Sequence, residues 1–303
     1  MKKLAIMTAA SALAVTFAHG ATQTNTPQWD SVGQALGKSG TVMPGGIYRV
    51  AMPRSDLHVT LDGVALKPGF ALGSWVAFQP MGDQAMVMGD LVLTESEIAP
   101  VMTKLQQGGL DVTALHNPLL RAQPATFYMH VLGHGDPAKL AQSLHEAIAS
   151  SKTPLGDTPA PQTAEKTDLD TAMIDSTLGA KGRDASGVYQ FGIPRAEPIR
   201  DHGMTLPAAM GSAEAINFQS TGNGKAAITG DFVLIASEVA PVARALRDNG
   251  IEVTALHNHM LDEQPRVFFM HFWANDDAQK LAKGLRAALD KVHTAKPQDT
   301  ASK

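Results

Sequence analysis

Residues 88–101 read MGDLVLTESEIAPV, and residues 229–242 read TGDFVLIASEVAPV. Each begins as an apolar run and then changes period. Ile98, Val101, Met102 and Leu105 fall at i, i+3, i+4 and i+7, as do Val239, Val242, Ala243 and Leu246. A strand therefore runs directly into a helix that carries one apolar stripe. Pro100 and Pro241 suit the first turn of such a helix, where a missing amide proton costs least.

Upstream, residues 75–79 and 85–93 flank the turn signal Met81-Gly82-Asp83 and read as a hairpin, and residues 48–52 and 189–193 are alternating runs that stop at a proline, as strands do. Downstream, after Gly108-Gly109 or Asn249-Gly250, strands are predicted over residues 110–116 and 251–257. A loop containing Gln-Pro follows, then strands over 126–132 and 267–273. Asp136 followed by Pro137 is an N-cap and a first helical residue, opening a last helix that buries Leu140, Leu144 and Ile148. From residue 86 the order is strand, helix, strand, strand, helix, with the 189–193 strand expected to supply a sixth element. That is the split βαββαβ order of a ferredoxin-like unit, permuted across a repeat boundary. The expected fold class is α+β, two tandem homologous copies packed on each other.

The repeat is visible throughout at an offset of about 141 residues. GGIYRVAMPR (45–54) aligns with SGVYQFGIPR (186–195), and QALGKSG (34–40) with STLGAKG (176–182). VTALHNPLLRAQPATFYMH (112–130) and VTALHNHMLDEQPRVFFMH (253–271) share twelve of nineteen positions. Residues 27–150 form copy one and 168–292 copy two. Residues 151–167, rich in Pro, Thr and Ala without apolar period, read as a linker, and 293–303 as a flexible tail.

The first twenty residues carry Lys2 and Lys3, an apolar run over 4–18 and small residues near Gly20. That order is a signal peptide, because the run is shorter than a membrane-spanning helix needs. The mature chain is expected to be periplasmic or secreted, with no transmembrane segment. Removing both lysines leaves 23 basic against 29 acidic residues, a formal charge of −6. With no basic stripe, nucleic acid is excluded as a partner. Cysteine is absent, so neither a disulfide nor a lipid-acceptor thiol is available.

The paired ALHN segments, GDLVL and GDFVL, FYMHVLGHGD and FFMHFWANDDA, and the duplicated PR strands resemble the LppY/LpqO-like family of bacterial envelope proteins over residues 29–291. The resemblance implies an exported, duplicated protein, and it assigns no activity. The family's namesakes look like lipoproteins, and the missing cysteine favours a free periplasmic form.

Candidate chemistry centres on the repeated histidines. Residues two apart on a strand share a face, so in copy two His257 and His259 point one way and Phe269 and His271 share a face on the next strand. A hairpin would bring His257 to His271. Copy one offers His116, His130 and His134. His259 and Glu263 replace Pro118 and Ala122, which makes His257, His259, His271 and Glu263 the candidate ligands for a divalent transition metal. The HxHxxxE spacing resembles the first metal motif of cupins, but those are all-β and the flanking segments here have helical period. The plainer reading is core histidines satisfied by Asn117 or Asn258, since a histidine on an apolar strand face is more often a hydrogen-bonded core residue than a ligand. Asp90 and Asp231, each after a glycine, read as turn residues or carboxylates. Arg54 and Arg195 are candidate anion clamps between the copies. No nucleophile motif occurs among these residues. Two function classes follow: a periplasmic binding or envelope-associated protein, with a pocket formed by His116, Asn117, His130, Asn258, Arg54 and Arg195 for a small molecule or cell-envelope component, or a metal-dependent enzyme built on the copy-two histidines.

Overall fold

The computed structural model describes residues 29–156 and 165–295. The signal peptide expected over 1–20, the middle of the linker and residues 296–303 lie outside the described residues. The first half runs α1 (Trp29–Leu36), β1 (Thr41–Met43), β2 (Ile47–Pro53), β3 (Thr60–Leu61), β4 (Val64–Ala65), α2 (Pro68–Ala71), β5 (Gly73–Met81), β6 (Gln84–Thr94), α3 (Glu95–Gln107), β7 (Asp111–His116), β8 (Thr126–Gly135) and α4 (Pro137–Ile148). The second runs α5 (Thr171–Leu178), β9 (Arg183–Ala185), β10 (Val188–Pro194), β11 (Arg200–Asp201), β12 (Met204–Thr205), β13 (Ala213–Gly222), β14 (Lys225–Ile235), α6 (Ala236–Asp248), β15 (Glu252–His257), β16 (Val267–Asp277) and α7 (Ala278–Leu289). The halves are thus similar mixed helix-and-sheet units.

Each half builds one six-stranded antiparallel sheet, ordered β1-β2-β5-β6-β8-β7 and β9-β10-β13-β14-β16-β15. Strand β10 pairs with β9 and β13 inside its own sheet, which corrects the expectation of a strand borrowed across the repeat boundary. The place beside β6 is taken by β5, its hairpin partner in the same half. Pairing follows the short turn, because closing a two-residue connection costs far less than spanning a linker.

Alternation along β6 sorts its side chains between two cores. Ala85, Val87, Leu91 and Leu93 pack with α1, α3 and α4, while Met86 and Met88 face the other half. Helix α3 begins earlier than the proline suggests. The Glu97 carboxylate accepts the Thr94 amide at 2.8 Å and sets the start at Glu95, leaving Pro100 one turn further in. Glu238 and Ile235 repeat this in α6 at 2.9 Å, with Pro241 in the corresponding place. Asp136 and Asp277 cap α4 and α7 as the sequence implied for the former.

The helix-free faces of the two sheets pack together. Between them each half sends an arm onto the other sheet. Leu61, Phe70 and Leu72 from the first half pack with Val188, Ala227 and Trp273 of the second. Gln219 fastens this arm, accepting from the Lys67 amide and donating to the Ala65 carbonyl, each at 2.8 Å. In return Ile199, Leu206 and Met210 lie against Ile47, Ala77 and Met86. Residues at the linker and tail margins are tied down too. Gly156 bonds Gly37 at 2.9 Å, and the Ala295 amide donates to the Pro194 carbonyl at 2.8 Å. Among the described residues no helix is long and apolar enough to cross a membrane.

Candidate metal centre

The strand register assembles the centre. In the first sheet Asp90 of β6 sits opposite His130 of β8, and His116 of β7 opposite Tyr128. In the second, Asp231 sits opposite His271 and His257 opposite Phe269. A bulge in β7 and in β15 leaves Thr113 and Thr254 unpaired in the ladder. Both cross the seam between the halves: the Thr113 hydroxyl donates to the His259 carbonyl at 2.5 Å and the Thr254 hydroxyl to the Pro118 carbonyl at 2.7 Å. This reciprocal pair brings the histidines of both copies into one cluster.

Ring centroids of His116 and His257 lie 3.6 Å apart, as do those of His130 and His259, and His271 lies 4.9 Å from His257. The hydrogen bonds fix several tautomers. His257 Nδ1 faces the Asn258 carbonyl at 2.9 Å, His271 Nδ1 the Gly230 carbonyl at 2.9 Å, and His130 Nδ1 the Asp90 carboxylate. A carbonyl or carboxylate accepts only, so each Nδ1 carries a proton, and in the neutral His257 and His271 rings Nε2 keeps its lone pair. The Nε2 atoms of His257 and His271 are buried without a hydrogen-bond partner among the described residues, as is Nε2 of His259. His130 Nε2 meets only His116 Nε2, at 2.9 Å. Donor atoms of His116, His130 and His257 lie within 4.8 Å of one another, as do those of Asp90, His130 and His259, and of Asp231, His257 and His259.

Burial keeps His116, His257, His259 and His271 neutral. It holds His257 and His271 down to about 4 and His116 and His259 well below the usual range, with neighbouring imidazoles adding to the effect at each. The two carboxyls part company. Burial opposes ionisation of Asp90, but His130, with Arg49 and His116, holds it below the ordinary value. Burial lifts Asp231 to about 7, with His257 pulling against it and Asp90 adding to it. Neutral imidazoles beside carboxylates, in a buried cluster with acceptors unpaired among the described residues, form a donor set suited to zinc, copper, nickel or iron.

Of the residues singled out on sequence, His116, His130, His257, His259 and His271 come together. The site spans both copies rather than lying in copy two. His134 stands apart, its ring 4.7 Å from His202. Glu263 is turned to the Val267 amide at 3.0 Å, with Arg266 at 3.6 Å, and caps its loop instead of joining the imidazoles. Asn258 braces the seam, donating to the Thr113 and Met260 carbonyls at 3.0 Å, while Asn117 Oδ1 is buried without a partner among the described residues. The anion-clamp expectation is corrected at Arg54, whose N–H groups are all committed to Asp56, Glu97 and the Val92 carbonyl. Arg195 is likewise spent on Glu197, Glu238 and the Val233 carbonyl, leaving only its buried Nε. Asp90 and Asp231 sit in mid-strand and not in turns. Their matched positions opposite duplicated histidines were the available signal.

The chain belongs to the family of a domain of unknown function, DUF1259, whose model matches it twice, over residues 30–150 and 172–291. No curated protein shows significant similarity to it. Two solved structures align loosely. The crystal structure of a trimeric bacterial microcompartment shell protein, PduB, does so over 84% of this chain and 90% of its own, at 12% identity and a TM-score of 0.21. EtuB from Clostridium kluyveri aligns over 83% and 88%, at 9% identity and a TM-score of 0.20.

Proposed function

We propose that the chain is an exported binding protein whose ligand is a divalent transition metal, held between its two halves. The observation that carries this reading is the set of buried Nε2 lone pairs with their Nδ1 protons already committed elsewhere. A polar atom buried without a partner costs on the order of 1–3 kcal/mol, and here several such acceptors cluster together. A cation bound at His257 gives its lone pair, and in the group with Asp231 that of His259 too, the partner it lacks. A core-packing role would instead pair each ring with a donor, and Asn258 spends its donor amide on backbone carbonyls. His257 belongs to two donor groups, one with His116 and His130 from copy one and one with Asp231 and His259 of its own copy, and Asp90 and the backbone carbonyls orient the rings.

Export is supported by the basic, apolar and small-residue order of residues 1–20 and by the resemblance to LppY/LpqO-like envelope proteins. Within each half, the neighbours β5-β6-β8-β7 and β13-β14-β16-β15 support a permuted ferredoxin-like unit, with the flanking strand supplied ahead of the split βαβ instead of after it.

The test is elemental analysis of untagged protein, with thermal unfolding in the presence of Zn, Mn, Ni, Cu or Fe ions. The expected result is bound metal and a raised melting temperature. Protein that carries no metal and gains no stability from any of these ions overturns the reading.

A further inference from the structure

We propose that the two copies of one aspartate have taken different tasks at this centre: Asp231 binds the metal directly, and Asp90 positions His130 without touching the ion. This rests on the metal reading above and goes on to say how the duplicated halves contribute to it.

Both Asp90 oxygens are occupied by donors. Oδ1 meets His130 Nδ1, and Oδ2 accepts from Trp75 Nε1 at 3.0 Å. Trp75 is itself held under the Arg49 guanidinium, which stands 3.7 Å from its ring centroid and donates to the Ala209 carbonyl at 2.5 Å. The carboxylate is therefore locked between an indole and an imidazole. Although it lies within reach of His130 and His259, each of its oxygens already serves one donor, and an ion would have to share that oxygen with the indole or the imidazole.

The second copy lacks that lock. Strand register places Ala215 opposite Asp231, where Trp75 stands opposite Asp90, and Gln190 occupies the place of Arg49. Gln190 is turned away to donate to the Gly69 carbonyl at 2.8 Å. Asp231 Oδ1 is buried and accepts no hydrogen bond among the described residues. The nearest ring nitrogen, His271 Nδ1 at 3.2 Å, gives its proton to the Gly230 carbonyl. Across the cluster Oδ1 faces His257 Nε2 at 4.0 Å, and that nitrogen is also an unpartnered acceptor. At 4.0 Å the two atoms stand too far apart for a hydrogen bond, but two metal bonds of ~2.0–2.2 Å span the gap. His259, which replaces Pro118 in the second copy, lies within the same group.

The experiment uses full-length protein stripped of metal and loaded with Co(II), whose absorption reports its ligands, together with zinc affinity measured against a chelator. Asp231→Asn should change the Co(II) spectrum and lower zinc affinity more than 100-fold. Asp90→Asn and Trp75→Phe should leave the spectrum of the bound ion unchanged and lower affinity only about 10- to 100-fold, as loss of an orienting partner does. X-ray absorption of the zinc-loaded wild type should require a carboxylate oxygen beside the imidazoles, a measurement that needs no variant to fold. An all-imidazole shell overturns the proposal, as does a Co(II) spectrum altered by Asp90→Asn as much as by Asp231→Asn. A wild type that takes up neither ion overturns this proposal together with the function it rests on, whereas metal bound without the carboxylate sinks this one alone.

Discussion

His116, His257, His259 and His271 are buried as neutral rings, and this sets how the metal-free fold answers to acid. In an unfolded chain a histidine titrates near 6.5, whereas His257 and His271 are held at about 4 in the folded state. Between those values the unfolded state binds protons that the folded state refuses, so stability falls as pH falls, by at most ~1.4 kcal/mol per pH unit for each ring. Asp231 works in the opposite sense. Lifted to about 7, it takes its proton in the folded state first, which favours folding as pH drops below that value. One carboxyl does not offset four imidazoles. Scanning calorimetry of metal-free protein should therefore show a melting temperature that declines steadily from pH 6.5 toward 4, and a flat profile would contradict burial of the cluster. Glu263→Ala makes a second test. It should strip the Val267 amide of its acceptor and cost about 1–3 kcal/mol in denaturant unfolding, while bound metal is retained. The histidines could be read from repetition and strand period alone. The aspartates could not, because a carboxylate after a glycine looks like a turn until the strand register places it opposite a histidine.

At the scale of elements, each PR strand end is pinned to the start of the helix that packs beside it. Arg54 is fully buried between Asp56 at 2.9 Å and Glu97 at 2.9 Å, and the same Glu97 caps α3 and accepts the Lys152 amide at 2.8 Å. Removing one member leaves an uncompensated charge inside the protein. Arg54→Ala should lower unfolding free energy by about 3–5 kcal/mol, read from the urea midpoint, and Arg195→Ala should do the same beside Glu238 at 2.6 Å. Neither should alter the metal content of protein that remains folded. The strand and helix that the paired GD segments form, and the strands that follow, were legible because their apolar periods are clear, whereas α1 and α5, of eight residues each, and the three-residue β1 and β9 were not read. The arms were not, since β3, β4, β11 and β12 are two residues each and carry no period. Nor could period choose the neighbour of β10, because alternation identifies a strand without naming its partner.

At the scale of the whole molecule, two of the four apolar clusters among the described residues mix residues of both halves. Residues 168–303 expressed alone would expose Val188, Ala227 and Trp273 on one side and leave Ile199 and Met210 without a sheet to cover. This fragment should unfold with poor cooperativity and bind a hydrophobic dye such as ANS. A sharp unfolding transition without dye binding would count against the exchanged arms. That the copies pack together was expected from sequence, but for the wrong reason: the bond between them is a pair of crossed arms and a shared site. Crossed arms of this kind could equally join two separate chains of half the length. Such a pair would fall apart on dilution and release its ion as it did so. Joining the halves by residues 151–167 makes their meeting intramolecular, at an effective concentration set by the tether and not by the surroundings. If the chain is exported and binds an ion as proposed, it could then keep hold of that ion however thinly it is spread.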